Sequence, residues 1–239
     1  MIGLGTIVNV LAVIIGSFIG LIFRGGLNKR FQDILMQALG LSTMFIGMAG
    51  ALEGMFKISE NTIETTGTMV IIVSLVVGAL IGELIEVEKR MEQFGEWLKK
   101  KVTLKCDSTF VEGFVTSSLI ICVGAMAIIG SLQDGLRADA SLLYTKSILD
   151  FVIVLISAST LGIGVMFSAI PLGIYQGLIT AFAKFIQPVL TDKLIADLSF
   201  VGSVLIFAIG INLAFGKKFK VGNMLPAIIV VIICSILNM

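Results

Sequence analysis

The stretch ISASTLGIGVMFSAIP, residues 156–171, sets Ser157, Ser159, Thr160, Gly162, Gly164 and Ser168 inside a long apolar segment. In a helix, neighbouring residues are turned about 100° apart, so Ser157, Ser159 and Thr160 make no single stripe. They polarise most of the circumference. Gly162 and Gly164 loosen the helix, and Pro171 is expected to end it. A helix broken at mid-membrane exposes backbone amides and carbonyls to a bound solute. The other reading is a central helix touched on every side by neighbours. Both place the 147–170 segment at the centre of a bundle.

The rest of the chain says what kind of bundle. Of 239 residues, 57% are hydrophobic and 14% charged, where a soluble domain carries about 25% charge. Mean hydropathy is +1.07. That much apolar surface needs lipid as its solvent. The net charge of +1 provides no basic face for nucleic acid. The chain has no histidine, which excludes His-based catalysis and His ligation of a metal. Cys106, Cys122 and Cys234 lack metal-site spacing, and Cys122 and Cys234 sit in apolar runs as small hydrophobes do. Nucleophile elbow, zinc-protease and phosphate-loop patterns are all missing, and the glycine-rich turn RGGLNKR follows a helix. An enzyme is not expected, nor a metal or other cofactor.

A helix crosses the bilayer core in about 20 apolar residues. Runs of that kind lie at 3–23, 33–52, 66–85, 110–132, 147–170, 172–190, 198–215 and 222–238. The first lacks the basic start of a signal peptide and reads as a transmembrane helix. The 172–190 run carries Gln176, Lys184 and Pro188 and could instead lie flat on the membrane. Charge decides the count. Twelve of the 17 basic residues fall in three loops, after the first run, after the third, and between the last two. Loops of this kind stay in the cytoplasm. Placing all three there requires the 172–190 run to cross. The fold expected is all-α, eight transmembrane helices with both termini outside.

GTIVNVLAVIIGSFIG (5–20) resembles GTMVIIVSLVVGALIG (67–82), and GMAGAL (47–52) echoes AIIGSL (127–132). Residues 1–58 and 63–136 therefore read as two parallel helical-hairpin repeats within one membrane domain. Residues 143–239 form a third part of four helices, in which Gly210–Ala214 is a further worn copy. Internal repeats occur in transporters and in membrane scaffolds. Gly16 and Gly20, Gly78 and Gly82, and Gly173 and Gly177 each put two glycines on one helix face, suited to close packing within the chain or in a homo-oligomer. Residues 83–101, with Phe94, Trp97 and Leu98 on one stripe, read as an amphipathic helix at the inner surface. It would be an interfacial anchor or a docking site for a cytoplasmic partner.

Ionisable groups within a bilayer are costly and point to function. Asp33 and Glu112 lie at hydrated helix starts. Asp150 is either a water-facing helix start or a carboxylate that binds a cation or proton. Lys184 either snorkels to the interface or pairs with Asp150. The amides of Asn9, Gln176 and Asn212 cannot be satisfied by their own helix and need a partner or water. These residues, with Ser157, Ser159 and Thr160, are the expected lining of a solute or ion path.

The opening GTIVNVLAVIIGSFIGLIF, then RGGL, then ALGLSTMFIGMAGAL make the chain similar to the YdfK/YqgA-like family of bacterial membrane proteins. That resemblance implies a bacterial plasma-membrane protein of a family of unknown function, sometimes labelled a transport protein. It supplies no site residues. From the residues, the leading expectation is a small-solute or ion transporter with Asp150 binding a coupling ion. The alternatives are a membrane scaffold or regulator acting through helix 83–101, and a channel.

Overall fold

A computed structural model describes residues 1–24, 28–59, 62–102, 109–188 and 190–236. The RGGL motif, apart from Arg24, and Cys106 lie outside the described residues. Among the described residues the protein is all-α apart from one hairpin. Its helices are α1 (Leu4–Arg24), α2 (Lys29–Met55), α3 (Thr68–Ile85), α4 (Val87–Val102), α5 (Phe110–Cys122), α6 (Ala125–Arg137), α7 (Ser141–Leu161), α8 (Ala169–Ala181), α9 (Ala183–Ile186), α10 (Asp192–Phe215), α11 (Val221–Met224) and α12 (Ala227–Ile236). A 3₁₀ turn, Ile163–Ser168, joins α7 to α8. Strands β1 (Phe56–Ser59) and β2 (Thr62–Thr65) pair antiparallel between α2 and α3, with Phe56 opposite Thr65. The sequence reading had no hairpin there.

All eight apolar runs are helical, but six helices among the described residues are long and apolar enough to cross a membrane: α1, α2, α3, α7, Ile163–Ala181 and α10. The fourth run is a pair, α5 and α6, bent by 62°. The eighth is a shorter apolar helix, Val221–Ser235. The largest shifts fall between the fifth and sixth runs. The span drawn at 147–170 ends at Leu161, and the next begins at Ile163 instead of Leu172. Gly162, not Pro171, ends α7, because its backbone sits at φ 84, ψ −159, which an L side chain rarely adopts. The amphipathic helix starts at Val87, after Glu86 turns left-handed at φ 52.

Burial is the inverse of a soluble helix. The buried residues of α1 are Gly5, Thr6, Asn9, Val13, Gly16, Ser17 and Gly20, small or polar except for Val13. Large apolar side chains face outward, Leu84 at 85% exposure and Phe185 at 79%. Lipid solvates such faces, so close backbone packing inside must supply the contact energy.

The chain divides into two compact units, each of which uses this device. Unit 1 comprises 1–39, 90–122 and 126–188. In it a methyl on Gly16 would lie 2.8 Å from the Phe151 carbonyl oxygen, and one on Gly20 would strike that of Leu155. Gly5 meets Leu143 at the other end. Contacts that rise together along both helices make α1 and α7 parallel. Gly173 meets Val10 and Gln176 meets Asn9, so α8 runs antiparallel to α1. Unit 2 comprises 40–89, 123–125 and 189–239. There Gly78 seats against the backbone of Ala227 and Gly82 against that of Asn223, an antiparallel crossing. Gly40, Gly47 and Gly54 likewise descend along Ala214, Phe207 and Phe200 of α10. Five of the six predicted packing glycines therefore meet contacts inside the chain, four of them against backbone and Gly173 against a Val10 methyl. Gly177 has open space beside it.

Candidate functional site: a buried polar centre

In unit 1, α1, α7 and α8 bring four polar side chains together. Asn9 and Gln176 are fully buried, Asp150 is 3% exposed and Lys146 is 7% exposed. Lys146 and Asp150 lie one turn apart on α7, a spacing that puts both on one face. The Lys146 Nζ donates to Asp150 Oδ2 at 2.5 Å and to the Ile121 carbonyl at 2.9 Å. That carbonyl belongs to the last turn of α5, where helix carbonyls have no partner of their own. A cation there also faces the negative end of the helix dipole. Asn9 Nδ2 donates to Asp150 Oδ2 at 2.9 Å and more weakly to Gln176 Oε1 at 3.4 Å. Asn9 Oδ1 and Gln176 Nε2 have no protein partner. The centre thus holds a compensated charge pair and leaves one buried acceptor and one buried donor unfilled.

Three of the predicted residues, Asp150, Asn9 and Gln176, meet here. The charge pair differs from the expected one. Asp150 pairs with Lys146, while Lys184 stands exposed on α9. Lys146 lies close to the start of α7. Its four-carbon stem lets it turn inward to the carboxylate. Of the residues at the C-terminal end of α7, Ser159 donates to the Ile156 carbonyl at 2.7 Å and Thr160 to that of Ser157 at 2.9 Å. Both are satisfied by their own helix. Ser157 is fully buried and its hydroxyl has no protein partner. Asn212 belongs to unit 2, where its amide staples the turn after α10: Oδ1 accepts from the Lys218 and Phe219 amides, and Nδ2 donates to the Phe219 carbonyl. Three of the four hydrogen-bonding positions of its amide are thereby taken up within the turn.

A second buried carboxylate closes the end of this unit. Asp134 of α6, fully buried, accepts from the Gly3 and Gly5 amides at 3.2 and 3.0 Å. It caps the positive end of α1 from another helix. Sequence reasoning missed it, since nothing local marks a cap supplied from 129 residues away. Among the described residues, no three of His, Cys, Asp and Glu gather as a metal ion would need.

Unit 2 holds its buried carboxylate at a helix junction. Glu88, at 8% exposure, accepts from the Gly222 amide at 3.0 Å and pairs with Lys217 at 2.6 Å. Asn223 Oδ1 accepts from the Glu88 amide at 2.8 Å, and its Nδ2 donates to Glu83 at 2.6 Å. The starts of α4 and α11 thereby cap each other. Lys220 pairs with Glu83 at 2.6 Å. Along α4, Phe94 stacks on Trp97 at 5.6 Å, Lys101 lies 5.2 Å over the Trp97 ring, and both rings remain about half exposed.

Comparison with known proteins gives a family and two relatives. The family model described as "Protein of unknown function (DUF554)" matches residues 4–236. The "Uncharacterized membrane protein YdfK" of Bacillus subtilis (strain 168) is 33% identical over 226 residues, 95% of this chain and 93% of that protein. The "Uncharacterized protein YqgA" of Escherichia coli (strain K12) is 29% identical over 233 residues, with the same coverage of 95% and 93%. No solved structure matches. The chain, a membrane protein by its lipid-facing helices and its relative, belongs to the DUF554 family.

Proposed function

We propose that the protein is a small-solute or ion transporter of the bacterial plasma membrane, with the Asn9–Lys146–Asp150–Gln176 centre as its binding site. One observation carries this reading. A buried ion pair is costly to assemble, and here it adjoins an unfilled acceptor and an unfilled donor, Asn9 Oδ1 and Gln176 Nε2. A purely structural pair would be expected to consume its neighbours. In the proposed cycle, a coupling cation or proton takes Asp150 as its carboxylate. Lys146 then keeps its charge against the Ile121 carbonyl and becomes available to an anionic group of the solute. The parallel course of α1 and α7, with α8 antiparallel to them, supports eight alternating crossings. The basic loops support a cytoplasmic placement for the turns after α1, α3 and α10, with both termini outside. Homo-oligomerisation belongs to the proposal, with lipid as the common solvent.

The test is a panel of ions and small acids applied to proteoliposomes on a solid-supported membrane. A charge movement that depends on one of them, and is abolished by Asp150→Asn, is the expected result. Silence across the panel in well-folded protein, with Asn9→Cys and Gln176→Cys inert to a small charged thiol reagent from both sides, would sink transport. The exposed Phe94 and Trp97 of α4 would then favour a scaffold or regulator bound at the membrane surface.

A further inference from the structure

Three segments of unit 1 repeat the same order of side chains, one turn at a time, and α5 shares its last two members. On α1 the order is Asn9, Val13, Ser17. On α7 it is Asp150, Val154, Ser157. Through α8 and the 3₁₀ turn it is Gln176, Leu172, Ser168, and on α5 it is Ile121, Ser117. Residues three or four apart share a helix face, and Val13, Ile121, Val154 and Leu172 belong to one buried cluster. The serines one turn beyond them therefore face the same core. Contacts fix their level. Gly16 and Gly20 flank Ser17 and meet Val154 and Ala158, on either side of Ser157. On α5, Gly113 meets Leu161 while the Ile121 carbonyl meets Lys146, which sets Ser117 between them, level with Ser157.

On α6 the buried Ser131 hydroxyl has no protein partner, whereas Ser118 bonds back to Phe114, Ser147 to Leu143 and Ser168 to Val165, each at 2.6 Å and each to a carbonyl of its own chain segment. Ser17, Ser117 and Ser157 do not. All three are fully buried and their hydroxyls have no protein partner. Three unpaired hydroxyls from three helices at one level need a guest that both donates and accepts. Residues one turn to either side, Val13 and Leu21, Gly113 and Ile121, Val154 and Leu161, carry no charge, which disfavours an ion. The surrounding core is closely packed, and buried water commonly makes about three hydrogen bonds.

We propose that Ser17, Ser117 and Ser157 bind water and form a second station, shut off from the Asp150 centre by the layer of Val13, Ile121, Val154 and Leu172. The layer is about 6 Å thick, one helical turn, and apolar constrictions of this kind gate by excluding water. The inference deepens the transport reading and rests on it only for what the station serves.

The experiment is water-edited solid-state NMR on the protein in bilayers, carbon-labelled at serine. The variants Ser17→Ala, Ser117→Ala and Ser157→Ala assign the signals. Polarisation is expected to pass from water to these three serines and to exposed Ser141, and at least threefold more slowly to Ser118 and Ser147. Each alanine variant should also lower the melting temperature in detergent. Transfer no faster than at Ser118 and Ser147, with alanine raising the melting temperature as removal of an orphan hydroxyl should, would overturn the proposal. Asp150→Asn is expected to leave the serine transfer intact. A solute current indifferent to Asp150→Asn would end the transport reading while leaving the water station in place, so the two failures are distinguishable.

Discussion

Helices α1 and α3 share their glycines and differ in what stands between them. Gly16 and Gly20 of α1 correspond to Gly78 and Gly82 of α3, and both pairs bring a partner's backbone against the helix. Asn9 of α1 corresponds to Ile71 of α3, and Ser17 to Ala79. Unit 1 accordingly buries a charge pair and two amides along its axis, while the buried carboxylate of unit 2 among the described residues, Glu88, sits at the junction of α4 and α11. Of the buried side-chain atoms without partners among the described residues, Ser74 alone lies in unit 2. One packing device thus serves both units, in one of them beside a buried charge pair. Stability and chemistry are separable in this chain: the glycines hold both units, and the polar substitutions distinguish one.

That contrast can be broken most severely at Lys146. Lys146→Met leaves Asp150 buried without its cation, at a cost of about 3–5 kcal/mol. Hydrogen exchange should rise across α1, α7 and α8 and leave α3 and α12 unchanged. The double variant Lys146→Met, Asp150→Leu should regain most of the loss. Recovery no better than the single variant would mean the charges matter for more than each other. Next come the glycines. Gly16→Val and Gly82→Val should each cost about 1–3 kcal/mol by overpacking, with accelerated exchange confined to the unit concerned. Gly177→Ala, facing open space, should leave the melting temperature within a degree. Equal damage at all three would show that propensity, not seating, sets these positions.

Glu88 sharpens the unit 2 side. Glu88→Ala leaves the Gly222 amide without its acceptor, worth about 1–3 kcal/mol. High salt should not reproduce this, since Lys217 contributes little through its exposed ammonium. The smallest effect lies at the start of α7. Asp139 accepts from the Ser141 hydroxyl and amide, which holds its carboxyl below the usual range. A lowered folded value means that stability is present above the unfolded carboxyl value of about 3.9 and is lost as pH falls through the folded one. Melting curves between pH 5 and pH 2.5 should fall more steeply for the native chain than for Asp139→Asn. Parallel curves would remove Asp139 from the account.

Much of this was legible in the sequence. Composition gave the all-α membrane class, because the number of apolar residues exceeds what any soluble core can hide. The spacing of Gly16 with Gly20 and of Gly78 with Gly82 marked the packing faces. Asp150, Asn9 and Gln176 stood out because such groups are expensive in lipid. Their assembly was not legible. Which cation reaches Asp150 depends on which helix turns toward which, and Lys146 was hidden by lying near a helix start. Ser159, Thr160 and Asn212 were over-read for the reverse reason. A hydroxyl or amide looks needy in a sequence, yet finds a carbonyl three or four residues back or in the next turn. Ser17 and Ser117 went unread because one buried serine resembles another until its partners are known.

The backbone at Gly162 carries one more consequence, a matter of handedness. With φ 84 and ψ −159, this residue occupies the mirror image of an ordinary extended conformation. The break between α7 and α8 is therefore a point of local opposite chirality in a chain of L-residues. Glycine serves there because it has no hand. A D-alanine introduced at position 162 by chemical ligation would find the conformation natural and would stiffen the break, whereas L-alanine would oppose it. The course of the chain from α7 to α8 thus turns on the one residue type that ribosomal synthesis supplies without chirality.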